Sequence, residues 1–146
     1  MSTENLKIKE ELRNLIDAYA TLGDEKKIAE QMHLFTENVS YKAYMGNFLA
    51  ADISGREAIE KEFNMHAALV KTYFTLNGQH IVEIDGGKAH GISFSQIKMI
   101  REKDGKDSIS DYSVKYKDNY VLQDDKWLIS ERTGYFIIVE ERAFGS

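Results

Sequence analysis

The chain contains no cysteine and no proline. The absence of cysteine excludes a disulfide framework, a thiolate nucleophile and a cysteine-based zinc site, and leaves the redox compartment open. The absence of proline removes any cis-proline device and any proline guard on an edge strand. Tryptophan occurs once, at Trp127. No apolar run approaches the roughly 20 residues that span a bilayer, so no membrane contact is expected. Basic runs are also missing. With 19 Lys and Arg against 24 Asp and Glu the net charge is −5, which speaks against nucleic acid as a partner. The opening Met1-Ser2-Thr3-Glu4-Asn5 lacks the cationic flank and apolar run of a secretory signal, and a cytoplasmic location is the expectation. Asn38-Val39-Ser40 then carries no glycan.

What is present is the composition of one soluble globular domain, 1–146, with 42% hydrophobic and 29% charged residues. A stripe of Ile8, Leu12, Leu15 and Tyr19 at three- and four-residue spacing predicts a helix over about 4–22, broken at Gly23. Asp24 has the chemistry of an N-cap for a second helix, Glu25 to about Phe35, with Ile28, Met32 and Phe35 on its apolar face. Val39 to Ser54 reads as two short strands turning at Gly46-Asn47. Ser54-Gly55-Arg56-Glu57 has the pattern of a capping box and opens a third helix to about Val70, with Ile59, Phe63 and His66 on one face. Beyond Val70 the period becomes alternating. Thr72–Asp85, Lys88–Arg101, Ser108–Leu122 and Trp127–Glu140 read as long strands, joined where Asp and Gly cluster.

Strands of about 12 residues are long enough to require a strongly bent sheet. Three amphipathic helices cannot cover both of its faces, so they are expected inside the curl. Tyr112, Val114, Tyr116 and Tyr120 share one strand face, and Ile97 and Met99 share a face of the neighbouring strand. These stripes are expected to lie outward and to form a homodimer interface.

Tyr19 with Asp24, the segment Ile84-Asp85-Gly86-Gly87-Lys88-Ala89, the pair Tyr116 and Asp118, and Trp127-Leu128-Ile129 ending at Arg132 carry a resemblance. In this order and spacing the chain resembles the SnoaL-like branch of the nuclear transport factor 2-like superfamily over nearly its whole length. The resemblance implies an α+β fold, a cystatin-like cone of mostly antiparallel sheet enclosing a pocket with three N-terminal-half helices. It also implies a homodimer through the convex face. Members include dehydratases, isomerases, cyclases and dioxygenase small subunits, as well as binding modules, so the fold leaves the activity open. Dehydratase-like members carry a histidine early in the first long strand, about where Tyr73-Phe74-Thr75 stand here; none of these is histidine.

Each candidate side chain has two readings. Tyr19 either donates a hydrogen bond to a carbonyl gaining negative charge or is a core tyrosine. Asp24 is a general base or an N-cap, and the two are compatible. His80 shares parity with Val82 and Ile84, and His90 with Ile92, Phe94 and Gln96. Each is a catalytic substitute for the missing histidine if it turns inward, and a packed side chain otherwise. His66 faces the cone, His33 the surface, and Phe63 or Phe94 line or fill the pocket. Arg132 clamps an oxyanion or pairs across strands with Asp118. Trp127 is read as a packing residue at the barrel edge. No paired histidine or cysteine motif suggests a metal. The expected ligand is a small apolar or carbonyl-bearing compound. Any lyase, isomerase or cyclase chemistry proceeds without a cofactor, with Tyr19, Asp24 and His80 as catalytic candidates and His66, His90, Phe63, Phe94 and Arg132 as ligand contacts. The alternative is a binding module without chemistry.

Overall fold

The computed structural model describes residues 2–145. Helix α1 spans Thr3–Asp24, α2 Ile28–Met32 and α3 Arg56–Ala68; the strands are β1 Phe35–Met45, β2 Phe48–Ser54, β3 Thr72–Asp85, β4 Lys88–Lys103, β5 Lys106–Gln123 and β6 Lys126–Ala143. They form one six-stranded sheet in the order β2-β1-β6-β5-β4-β3. Only β1 and β6 run parallel; the other neighbours are antiparallel. The sheet curls around α1, α2 and α3, giving the mixed cone expected from the long strands. No helix among the described residues is long and apolar enough to cross a membrane.

The first correction concerns the end of α1. Gly23 does not break the helix, which runs on to Asp24. Glu25 is its C-cap, and the next residue, Lys26, adopts φ 59°. Lys26 N–H then reaches the Gly23 carbonyl at 3.0 Å and Lys27 N–H the Leu22 carbonyl at 2.9 Å, the paired bonds of a Schellman ending. Gly23 serves a close approach instead, since a Cβ there would lie 2.8 Å from Gln31 Nε2. Asp24 is therefore a last-turn residue and caps nothing. The second helix shrinks to Ile28–Met32, because Phe35 already belongs to the strand paired with β6.

The capping box is a second correction. The N-cap of α3 is Gly55 at φ 89°, with no side-chain capping bond. Ser54 instead ends β2, paired with Ser40. The two-residue turn at Gly46-Asn47 is as expected, closing Met45 against Phe48.

The third correction concerns the aromatic stripes. Tyr112, Val114, Tyr116, Tyr120 and Met99 are all buried. Tyr120 packs with the helices in the main core, while Met99, Tyr112, Val114 and Tyr116 form a second buried cluster with Val70, so they offer no outward dimer face. The shared parity was legible, but its direction was reversed. Packing is done by Leu12, Leu15 and Ile16 of α1 against Phe35, Val39, Ile59, Trp127 and Ile129. Trp127 thus belongs to the main core.

One irregularity positions the site. The β3–β4 register shifts between Asn77 and His80. Arg13 of α1 clamps this bulge, donating to the Gly78 carbonyl (2.8 Å) and the Asn77 carbonyl (3.3 Å), while pairing with Asp17 at 3.0 Å. A bulge changes strand parity. Thr75 and Asn77 therefore face the cavity on one side of it, and His80 faces the core on the other.

Candidate functional site

A cavity of about 310 Å³ lies between α1, α2, α3 and the concave sheet. Apolar and aromatic side chains dominate its wall: Ile16, Tyr41, Ile53, Phe63, Met99 and Phe136 among them. A small organic molecule is the natural occupant of such a space.

Asp24 enters it from the last turn of α1. Its Oδ2 accepts the Thr75 backbone N–H at 2.8 Å and its Oδ1 accepts the Thr75 hydroxyl at 2.7 Å. Thr75 thereby fixes the carboxylate's orientation. Nearby, Asn77 Nδ2 donates to Asp17 (2.9 Å) and to the Ile16 carbonyl (3.2 Å), while Ser95 donates to Asn77 Oδ1 (3.0 Å). These bonds close the seam between α1 and β3.

Arg132, on β6, is 2% exposed and pairs through Nε with Asp118 Oδ1 at 3.0 Å. The cross-strand reading of this arginine holds: Asp118 and Arg132 are direct partners in the β5–β6 ladder. The guanidinium also lies over two rings, 4.2 Å from the Tyr19 centroid and 3.8 Å from that of Tyr116. Burial pushes the Asp118 carboxyl up, against the pull of Arg132 and of the Tyr120 hydroxyl. Burial is the largest influence on Arg132 and would lower it, but Asp118 and the neighbouring tyrosines together raise it, and the guanidinium stays charged. Burial raises Tyr19, Tyr41 and Tyr116 as well, with Arg132 opposing in each case. All three hydroxyls therefore stay protonated and able to donate.

Behind the wall a chain of bonds continues. Tyr120 donates to Asp118 Oδ2 at 3.0 Å, so its oxygen is left to accept from His80 Nε2 at 3.1 Å. His80 then carries its proton on Nε2. Its Nδ1 is sealed without a partner among the described residues. Burial, followed by the charges of Arg13 and Arg132, lowers His80 to about 4. It is neutral at pH 7 and does not line the cavity, so it holds the wall and has no contact with a ligand there.

The other candidates divide. Tyr19, Asp24, Phe63, His66 and Arg132 line the cavity. His66 stands at an exposed rim, its Nδ1 2.6 Å from the Tyr73 hydroxyl. Shielding of that ring edge lowers its pKa, helped by Arg101 and opposed by Glu62, and burial pushes Tyr73 up to about 12. His90 and Phe94 are placed elsewhere. His90 is exposed and pairs with Glu83 at 3.2 Å, and Phe94 lies under Lys115 on the outer face. Both have the opposite parity to Ser93 and Ser95, which are buried. Thr75, Tyr41, Tyr116 and Gln31 are cavity residues that motif reading missed. Alternation with Tyr73 was the signal for Thr75, and the Tyr116–Asp118 pair was the signal for Tyr116. Among the described residues, no three His, Asp or Glu side chains gather as a metal cluster.

Solved structures share this architecture. A provisionally assigned scytalone dehydratase from Novosphingobium aromaticivorans superposes with a TM-score of 0.82 at 19% identity, covering 100% of this chain and 93% of its own. A nuclear transport factor 2-like protein with a cystatin-like fold from the same organism gives 0.72 at 22% identity, over 92% and 84%. A type 3 hexachlorocyclohexane dehydrochlorinase from Novosphingobium barchaimii gives 0.81 at 12% identity, over 97% and 94%. At these identities the likeness concerns the fold alone. No curated protein matches the sequence. The SnoaL-like domain model matches residues 4–133. With that match over most of its length and the cone on view, this chain belongs to the SnoaL-like domain family.

Proposed function

We propose that this protein is a cofactor-independent enzyme of the lyase, isomerase or cyclase kind, moving a proton next to a carbonyl in a small, largely apolar substrate. The observation that carries this is the convergence of Asp24, a carboxylate held in place by Thr75, with Tyr19 and Arg132 on one apolar cavity. Asp24 takes the α-proton. The C–H electron pair becomes a C=C bond and the carbonyl oxygen gains the negative charge. Tyr19, kept protonated by burial, donates to that oxygen. Returning the proton to another carbon isomerises the substrate; expelling a β-substituent with its electron pair completes an elimination. The test is incubation with small aryl and cyclic ketones in D2O, following loss of α-protons by NMR. Exchange above the buffer rate that disappears in Asp24→Asn is the expected result.

A second reading, a binding module without chemistry, is favoured by one observation. Thr75 engages both oxygens of Asp24 where dehydratase-like members have histidine, and the cavity's only histidine among the described residues, His66, sits at the rim. Ketones that bind without any exchange would establish it.

A further inference from the structure

The hydrogen-bonding capacity of Arg132 is only partly used. Its Nε donates to Asp118, the Tyr19 hydroxyl lies within its hydrogen-bonding reach, and the Tyr19 and Tyr116 rings pack against its guanidinium. What is left is the in-plane edge bearing the two terminal nitrogens. They make no hydrogen bond to a carboxylate among the described residues, and they are not among the sealed, unpartnered polar atoms. Since Arg132 is 98% buried yet lines the cavity, that edge is what it presents there. Tyr19, Tyr41 and Tyr116, all kept protonated by burial, line the same cavity as Arg132.

We infer that the ligand of this cavity carries a carboxylate, received in plane by the terminal nitrogens of Arg132 and flanked by the tyrosine hydroxyls. This rests on the cavity reading above and narrows it to small oxo or hydroxy acids with an apolar body. A guanidinium fork matches a planar, two-oxygen acceptor through parallel hydrogen bonds. With the Tyr19 and Tyr116 rings packed at 4.2 and 3.8 Å from the guanidinium carbon, the space beside it is narrow, which favours a flat group over a tetrahedral one. Charge argues the same way. Asp118 already balances Arg132, and Asp24 adds a further carboxylate to the cavity wall. A phosphate dianion would bring two negative charges into this space, whereas a carboxylate brings one. Tyr120, donating to Asp118 from behind, offsets part of the repulsion between the two carboxylates that Arg132 would bridge.

The test uses matched acid and amide pairs: phenylacetate with phenylacetamide, and 3-phenylpropionate with 3-phenylpropionamide. Their affinities for the intact protein are compared by NMR titration at pH 7. Each acid is expected to bind at least about tenfold tighter than its amide, the scale of one buried charge-assisted contact. The preference should survive 0.5 M salt, since a buried site is weakly screened and a surface site is not. Arg132→Gln strands Asp118 and can unfold the protein, so the informative variant is Arg132→Lys, which keeps the charge but loses the fork. The acid preference should fall to about threefold or less there. Equal binding of acid and amide, acid preference unchanged in Arg132→Lys, or no acid binding at millimolar concentration would each overturn the inference. Acid-selective binding without ketone exchange retains it and removes the catalytic reading. Exchange without acid selectivity does the reverse.

Discussion

Asp24 and Asp118 are carboxylates of one cone, yet Asp24 is half-buried at the cavity with Thr75 as its partner, whereas Asp118 is 3% exposed and bound by Arg132 and Tyr120. Asp24's partners are neutral and sit on a neighbouring element, so its charge remains available to a ligand. Asp118's charge is matched by a guanidinium in the same ladder, and its work is to hold that guanidinium still. The comparison separates a group able to act from a group that positions another. Similar chemistry serves both because partner and burial, more than residue type, set what a carboxylate does.

The comparison breaks most visibly on stability. Asp118→Ala leaves Arg132 buried and unpaired, and is expected to cost about 3–5 kcal/mol in urea unfolding. A loss below about 1 kcal/mol would show that the pair contributes no positioning. Asp24→Asn should cost only about 1 kcal/mol, since one oxygen still accepts from Thr75. It should nonetheless lower α-proton exchange by about 100-fold or more. Equal stability losses in the two variants would erase the distinction.

Tyr19→Phe sharpens the same contrast from the donor side. The ring keeps its place against Phe35, whose centroid is 5.6 Å away, and over Arg132. Exchange should fall by about 100-fold if the hydroxyl meets the developing oxyanion. An unchanged rate would return Tyr19 to a packing role.

His80 gives a pH-dependent prediction. Its folded pKa, about 4, lies below the ordinary value of 6.5. The folded state therefore favours the neutral ring, and this contribution is fully present above pH 6.5. It is lost as the pH falls from 6.5 through about 4. His80→Gln, which can donate to Tyr120 but does not titrate, should show a flatter stability profile over that window. Parallel profiles would contradict the buried neutral histidine. Smallest of all, Ser54→Ala should change stability by less than about 0.5 kcal/mol, because Gly55 takes the N-cap position. A loss near 1 kcal/mol in the denaturation midpoint would restore the capping box.

The legible part of the site was the part carried by local pattern. Tyr19 closes a helical stripe, and Asp24 follows five residues on, so both could be placed at one end of α1 from spacing alone. Asp118 and Arg132 could be expected on neighbouring strands, but the turn closed by Gln123 and Lys126 would by itself set Asp118 against Glu131, and the register shift between Asn119 and Tyr120 brings Arg132 opposite it. His80 could not be placed. Its parity with Val82 and Ile84 was right, but a bulge at Gly78-Gln79, clamped by Arg13 some 65 positions earlier, directs it behind the cavity wall.

Periodicity and turn chemistry determined, from the sequence by themselves, three helices, a two-residue hairpin, four long strands and the faces that side chains share. Those are short-range properties, because backbone geometry repeats every 3.6 or 2 residues wherever it is regular. Only the tertiary structure decided which face turned inward, which is why the Tyr112–Tyr120 stripe lies inside the cone. It also packed rings drawn from α1 and β5 against Arg132, and seated Thr75 on Asp24 across 51 positions. Contacts between elements distant in the chain depend on how the curled sheet closes over its helices, and no local repeat encodes that closure.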